Sequence, residues 1–319
     1  MVAGAERTRI TRCGATVEQV SRVQIVEPDR ALRRRLRPLF DAAAAADGRP
    51  ALSDHLLVDL DAGTDGAIGA LVEAAGAPVA YGQASRANEG FTAEIVVEPD
   101  HRGDPTLMDD LVAALLNEIS EAGGGSVDWW IHRPTDGLLA VAERHRMVPV
   151  RSLHRMAASL PVARHADVQT RAFDPARDEE AWLAVNNRAF AGHGEQGGWT
   201  LAMLRRREAE DWFDPDGFRL HERDGRLAAF CWTKVHPSDP DFDGEPAGEI
   251  YVIAVDPDFH GHGLGSQLTL AGLDHLAGRG LQHAILYVDA GNDVAVTMYE
   301  RLGFSIDSTS VAARRQVGR

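Results

Sequence analysis

The chain of 319 residues holds only two cysteines, Cys13 and Cys231. Neither lies in a CxxC or other ligand-spaced cluster, which excludes a disulfide framework and makes a reducing cytosol the expected compartment. No segment approaches 18 uninterrupted apolar residues, and Met1 to Val20 carries no apolar signal core, so neither export nor a membrane span is expected. Positive charge is scarce: 33 Lys and Arg stand against 48 Asp and Glu, a formal charge of −15. That balance argues against a nucleic-acid groove, where phosphates must be neutralised by concentrated Lys and Arg. The one basic run, Arg30 to Arg37, is expected on the solvated face of a helix. His193 and His236 have no partners at ligand spacing, so no metal is expected.

What is present reads as a soluble α+β protein long enough for two domains. The first 22 residues are expected to be a disordered tail. From Glu27 the pattern is helical, with Leu32, Leu36, Leu39 and Phe40 on one face and a stop at Asp47-Gly48-Arg49-Pro50. A second helix over Asp54 to Leu60 follows Ser53, which is expected to cap it. Strands are expected at Ala67 to Glu73, Pro78 to Gln83 and Thr92 to Val97, then a helix from Leu107 to Ser120, a strand from Val127 to Ile131, a helix from Asp136 to Arg144 and a strand from Arg151 to Ala158. The second half repeats this order: helices at Asp178 to Phe190 and Leu201 to Asp211, a hairpin of Phe218 to Glu222 with Arg226 to Lys234, and a strand from Ile250 to Val255. A helix to Ala277, a strand from Ala284 to Val288, a helix from Ala295 to Leu302 and a last strand from about Ser308 complete it.

The stretch Gly248 to Leu268, GEIYVIAVDPDFHGHGLGSQL, joins a buried strand through a glycine-rich loop to an amphipathic helix. Gly261, Gly263 and Gly265 leave free backbone N–H groups where the helix begins, a setting that closes on an anion. No Lys-Ser/Thr follows the glycines and no GxGxxG order is present, so neither a P-loop nor a dinucleotide fingerprint fits.

Residues repeat across the chain. Val97-Glu98-Pro99-Asp100 lines up with Val255-Asp256-Pro257-Asp258 at an offset of 158, and Glu143-Arg144 with Glu300-Arg301 at 157. Two copies of one unit are expected, over 23–160 and 161–319. On that alignment Gly263 and Gly265 match Pro105 and Leu107, which lack the N–H or add a side chain, and Tyr299 matches Ala142. Catalysis is therefore assigned to the second copy and a supporting role to the first. It stays open whether the first copy still holds the ligand of the second along its strand edge at Ile95 to Val97.

The glycine loop, and Asn292 to Phe304 (NDVAVTMYERLGF) at the expected distance after it, resemble the coenzyme A loop and the Asn-x-x-Ala-x-x-x-Tyr-x-x-Leu-Gly-Phe motif of the GNAT superfamily of N-acetyltransferases. His260 stands where that superfamily carries Gln or Arg. The resemblance implies two tandem domains, each a central mixed sheet flanked by helices, and acetyl-CoA as cosubstrate. It implies cofactor contacts from Ile253, Ala254 and Val255, from His260, Gly261, His262, Gly263, Leu264, Gly265 and Ser266, and from Asn292, Asp293, Val294, Ala295, Val296 and Thr297. Acyl transfer to an amine needs a proton acceptor and a donor for the departing thiolate. Glu249, at the start of the central strand, suits the first role, directly or through water, and the Tyr299 phenol the second. The plainer alternatives are a surface carboxylate and a core tyrosine.

The runs NNRAFAGHGEQGGWT (Asn186 to Thr200), FCWTKVH (Phe230 to His236), GEIYVIAVDP and LYVDAGN resemble a tandem branch of the superfamily that acetylates the cysteinyl amine of cysteinyl-glucosaminyl-inositol. Gly194 departs from it, since that branch has proline there. The likeness implies substrate contacts from Glu195, Lys234, Glu249 and Tyr287 in the second copy and from an acidic residue of the first, matched to Asp54. Carboxylates, a lysine and a phenol suit a ligand with many hydroxyls and one amine; a loop salt bridge is the plainer reading of Glu195 and Lys234. A monomer is expected, with no nucleic-acid or membrane partner. Acetylation of another small-molecule or peptide amine, or non-catalytic acyl-CoA sensing, are the alternative functions.

Overall fold

The computed structural model describes residues 22–318 apart from 64–65, 88–89, 105 and 193–195. The tail expected over 1–22 lies, but for Arg22, outside those residues, as do Pro105, His193, Gly194 and Glu195.

Strands and helices alternate in two rounds. The first runs β1 (Gln24–Val26), α1 (Arg30–Asp47), α2 (Asp54–Ala62), β2 (Ile68–Ala74), β3 (Ala77–Ala87), β4 (Gly90–Val97), α3 (Leu107–Glu121), β5 (Gly125–His132), α4 (Asp136–Arg144) and β6 (Val148–Ser159). The second runs β7 (Arg171–Ala172), α5 (Pro175–Ala189), α6 (Leu201–Glu208), β8 (Phe218–Arg223), β9 (Arg226–His236), β10 (Ala247–Val255), α7 (Leu264–Gly278), β11 (His283–Asp289), α8 (Asp293–Arg301) and β12 (Ser305–Val317).

Local chemistry sets most of these boundaries. Leu32, Leu36, Leu39 and Ala43 form the buried stripe of α1; Asp29 accepts the Leu32 N–H at 2.6 Å to start it, and Gly48, left-handed at φ 69°, ends it. Asn292 caps α8 by accepting the Ala295 N–H at 3.1 Å. Ser53 occupies the cap position of α2, but its hydroxyl does not cap the helix. It lies 3.1 Å from His55 Nδ1, and the Ser53 N–H is spent on Glu94. The last strand begins at Ser305 rather than Ser308, because its first residues pair with Ala157 to Arg155 of β6. The edge strands β1 and β7, three and two residues long, were too short to register as a pattern.

The twelve strands of the described residues form one sheet in the order β1-β2-β3-β4-β5-β12-β6-β11-β10-β9-β8-β7. Adding six to each strand of the first round, with β12 and β6 exchanging places, returns the same order reversed, so the repeat is a two-fold relation inside one sheet. The last strands are traded: β12 pairs with β5 of the first round, β6 pairs with β11 of the second, and both pair with each other. Among the described residues only β4–β5 and β10–β11 are parallel. Helices α3 and α7 open at Leu107 and Leu264, 157 positions apart (264 − 107). In space Gly263 and Gly265 therefore match Thr106 and Met108, not Pro105 and Leu107.

Alternation along the strands feeds helices on both faces. Ala70 and Val72 pack with Leu111 and Leu115 of α3, while Leu71 between them packs with Leu36 and Leu56 of α1 and α2. Likewise Cys231 packs with Leu268 and Leu273 of α7, whereas Phe230 and Trp232 pack with Trp182 of α5 and Leu204 of α6.

Candidate active site

The two halves present α2 and α6 to a shared cleft of about 530 Å³ over the central strands. Asp54 and His55 come from α2, Met203, Arg206 and Arg207 from α6, and Lys234, His236, Glu249, Tyr251 and Tyr287 from β9, β10 and β11. The β9–β10 register puts Glu249 directly opposite Lys234. These two do not pair. Lys234 Nζ reaches across the cleft to Asp54 Oδ2 at 2.7 Å, and the Glu249 carboxylate turns diagonally to His236, with Oε2 2.7 Å from Nε2. A bulge follows, where Tyr251 and Val252 together oppose Trp232. It turns the Tyr251 ring towards Lys234, whose ammonium lies 5.6 Å from that ring and 4.9 Å from Trp212.

Charges in this cleft are set by close partners. Burial works to raise the Asp54 carboxyl, but the charge and hydrogen bond of Lys234 outweigh it and hold the group below its usual range. Burial in the wall, together with the Glu249 charge, pushes the Tyr287 phenol up to about 12. Because 46% of that residue is open to the cleft, water offsets part of the rise. A buried strut fixes the floor: Arg155 of β6 binds Asp239 at 2.7 Å, Asp241 at 3.1 Å and Asp307 of β12. Asp241 also takes Arg133 of the first half at 2.5 Å, so the β9–β10 connection is tied to both halves.

On the other side of Glu249 the sheet opens. Pairing of β10 to β11 stops at Ile250–Leu286, although β10 continues to Val255, and the backbone edge of Ile253, Ala254 and Val255 is left facing a V. The glycine loop follows, with φ of 81° at Gly261 and 72° at Gly263; a Cβ at either would meet open space. A Cβ at Gly265 would stand 3.3 Å from Met298 Sδ. His260 folds back so that Nε2 is 3.0 Å from the Val255 carbonyl oxygen. His262, Leu264 and Ser266 belong to the loop and first turn of α7, where the Gly263 cap makes no side-chain bond to the helix amides. A bare strand edge, a cradle without side chains and an amide-rich helix start fit the pantetheine arm and pyrophosphate of an acyl-CoA. Asn292, Asp293, Val294, Ala295, Val296 and Thr297 form the start of α8 across the V.

Tyr299, on α8, is not in the lining of the shared cleft. It is 6% exposed, packs edge-on to Phe304 at 5.9 Å, and burial raises its phenol well above the usual value. Cys231 is fully buried, with burial pushing its thiol up to about 12, so it supplies no thiolate for an acyl-enzyme.

The first half has the same frame without the same chemistry. There Thr92 faces Ser85 across β3–β4 and Asp128 across β4–β5, as Glu249 faces Lys234 and Ile285. Thr92 thus stands in the place of Glu249, Ser85 in that of Lys234, and Ala142 in that of Tyr299. The V between β4 and β5 is itself a cleft of about 720 Å³ edged by Ile95, Val96 and Val97. Glu94, 2% exposed, lies close by. Burial would raise its carboxyl, but His132, Arg49 and the Ser53 N–H hold it down to about 2.

The structure therefore gathers Asp54, Lys234, Glu249 and Tyr287 in one cleft, and the glycine loop with the start of α8 around a separate V; Glu195 lies outside the described residues. Tyr251 and Trp212 had not been singled out, and His236 had been weighed only as a metal ligand. His236 was within reach of sequence reasoning, since it follows Lys234 by two on the same strand face, but its partner depends on the β9–β10 register. Trp212 sits in a loop with no periodic signal. Among the described residues no cluster suited to a metal ion is found, and no helix is long and apolar enough to cross a membrane.

A profile of the acetyltransferase (GNAT) family matches residues 164–304. The chain is 43% identical over 282 residues to a mycothiol acetyltransferase of Thermobispora bispora, covering 87% of this chain and 94% of that one. In fold it is similar to a GCN5-related N-acetyltransferase from Sphaerobacter thermophilus, with a TM-score of 0.72 at 22% identity over 93% and 96% of the two chains. It is also similar to a tandem GNAT protein from the clavulanic acid biosynthesis pathway, with a TM-score of 0.67 at 14% identity over 94% and 99%. A tandem GNAT frame, a glycine-cradled V in its second half and this level of identity along nearly the whole chain lead to one assignment: the chain belongs to the mycothiol acetyltransferase family of GNAT acetyltransferases.

Proposed function

We propose that this chain transfers the acetyl group of acetyl-CoA to the cysteinyl amine of cysteinyl-glucosaminyl-inositol, forming mycothiol and coenzyme A. The observation that carries this reading is the shared cleft, where Asp54 of the first half and Lys234, Glu249 and Tyr287 of the second meet at one polar surface beside the V of β10 and β11. A hydroxyl-rich ligand with one amine is matched by such a surface; a lipid or an aromatic amine is not.

Bound acetyl-CoA supplies the activated acetyl group, held by the β10 edge at Ile253 to Val255 and by the amides of the glycine loop. The attacking amine must be neutral, and an α-amine titrates at about 8, so a carboxylate suffices to take its proton as the N–C bond forms. Glu249 is that acceptor: Oε2 is engaged by His236, which leaves Oε1 for the amine or an intervening water. Tyr299 Oη is the donor to the sulfur as the C–S bond breaks, and its burial keeps the phenol protonated through neutral pH. Lys234 and Tyr287 hydrogen-bond the sugar and inositol hydroxyls, so the substrate thiol and hydroxyls remain unacetylated.

Coenzyme A release measured over a panel of amines tests this. The cysteinyl pseudodisaccharide should exceed free cysteine in kcat/KM by orders of magnitude, because a truncated substrate leaves the cleft's polar groups unpaired. Equal values for the two would sink the substrate assignment, and release with neither would sink acetyl transfer itself.

A further inference from the structure

Resting on the acetyl-transfer reading, we propose that His236 is a positioning residue for Glu249, fixing which carboxylate oxygen meets the substrate amine. Glu249 is 7% exposed and His236 Nε2 lies 2.7 Å from its Oε2. An ionised carboxylate only accepts hydrogen bonds, so the imidazole donates from Nε2–H and Nδ1 is its other nitrogen. Lys234, the residue directly opposite Glu249, does not serve Glu249 because it is engaged by Asp54 and flanked by Trp212 and Tyr251. With Oε2 tied to a strand neighbour, the carboxylate loses rotational freedom and Oε1 is the oxygen left for the substrate, Glu249 being one of the residues that line the cleft. A proton acceptor is effective only when held within a fraction of an ångström of its productive position.

An independent observation comes from the repeat. By strand register Ser85, Ala87 and Thr92 of the first half occupy the places of Lys234, His236 and Glu249. The three chemical side chains of the second half are thus replaced together, by residues that neither titrate in the neutral range nor bear charge. The carboxylate and the imidazole that touches it are thus absent together from the matched positions of the first half. Ala87 still lines the same cleft, so the first half retains the wall without the hydrogen bond.

The test uses the full chain with acetyl-CoA and the amine that the wild type turns over best. H236M fills a similar space without a donor, and H236Q returns an amide N–H near the position of Nε2. We expect H236M to lower the single-turnover rate and kcat by ~10- to 100-fold with KM for the amine changed less than about 3-fold, and H236Q to recover most of the loss. In an E249Q background, H236M should cost less than about 2-fold more, since it acts through a carboxylate no longer there. The proposal is overturned by unchanged kcat in a folded H236M, by a rise in KM alone, by H236Q as slow as H236M, or by an equal loss in both backgrounds. Failure of acetyl transfer would show separately, as a wild type without turnover on any amine.

Discussion

Lys234 Nζ and Asp54 Oδ2 stand 2.7 Å apart, joining β9 of the second half to the first turn of α2 in the first, across the cleft. The residue facing Lys234 on β10 is Glu249, but Glu249 is taken by His236. The pair closes the wall between the two halves, with the lysine set in an aromatic corner of Trp212 and Tyr251.

If this pair holds the sugar and inositol side of the cleft, Lys234→Ala should reduce kcat/KM for the cysteinyl pseudodisaccharide by about 10- to 100-fold or more and for free cysteine far less. Asp54→Ala should do the same, and the double variant should be no worse than the more severe single one, because the two act as a unit. Parallel kinetics on both amines decide it; equal losses on the two would remove Lys234 and Asp54 from substrate selection.

The proton path is checked at its two ends. Glu249→Gln should cost about 10²- to 10⁴-fold in kcat and Tyr299→Phe about 10²-fold, with acetyl-CoA still binding to both. Burial raises the Tyr299 phenol above its ordinary value. A raised value keeps the donor protonated further into alkali, so the wild-type kcat should show no loss from this group below about pH 10. A kcat–pH profile with an alkaline limb near 8 that vanishes in Tyr299→Phe would contradict that sign.

The two V-shaped openings should differ in importance. Gly265→Glu drives a side chain and a negative charge towards Met298 and the pyrophosphate cradle, and should abolish acetyl-CoA turnover. The structurally matched change in the first half is Met108→Glu rather than a charge at Leu107, which is 4% exposed and part of the core under α3. Met108→Glu should keep most activity. An equal loss in a folded Met108→Glu would move catalysis, or an indispensable ligand, into the first half.

Glu94 links the first half's fold to pH. Its carboxyl is held at about 2 in the folded chain against the ordinary 4.5 of a free glutamate, so ionised Glu94 stabilises the fold above pH 4.5 and that contribution disappears as pH falls from 4.5 to 2. The difference corresponds to roughly 3 kcal/mol. Glu94→Gln should lower stability at pH 7 by an amount of that order and match the parent near pH 2. Denaturant unfolding at several pH values measures it, and a pH-independent gap would exclude this origin.

Much of the molecule was legible in the residues themselves. Helix stripes such as Leu32, Leu36 and Leu39, the left-handed stop at Gly48, the glycines ahead of α7 and the 157–158 residue repeat are local properties, fixed by backbone freedom and by 3.6- and 2-residue periods. Glu249 on β10 and Tyr299 on α8, the second helix after it, were legible for the same reason, since their spacing along one unit is set by the elements in between.

Only the tertiary structure decided which partners those residues take. The exchange of β6 and β12 between the halves follows from long-range strand pairing, to which no local pattern is sensitive. Ser53 reads as a cap from its neighbours, yet its amide goes to Glu94, 41 positions away. Lys234 could have bound the carboxylate opposite it; a flexible four-carbon stem, a cleft closed by α2 and a bulge at Tyr251 sent it to Asp54 instead and left Glu249 to His236. Charge pairing falls off within a few ångströms, so it depends on register and side-chain reach across the whole fold, which the order of residues along the chain does not display.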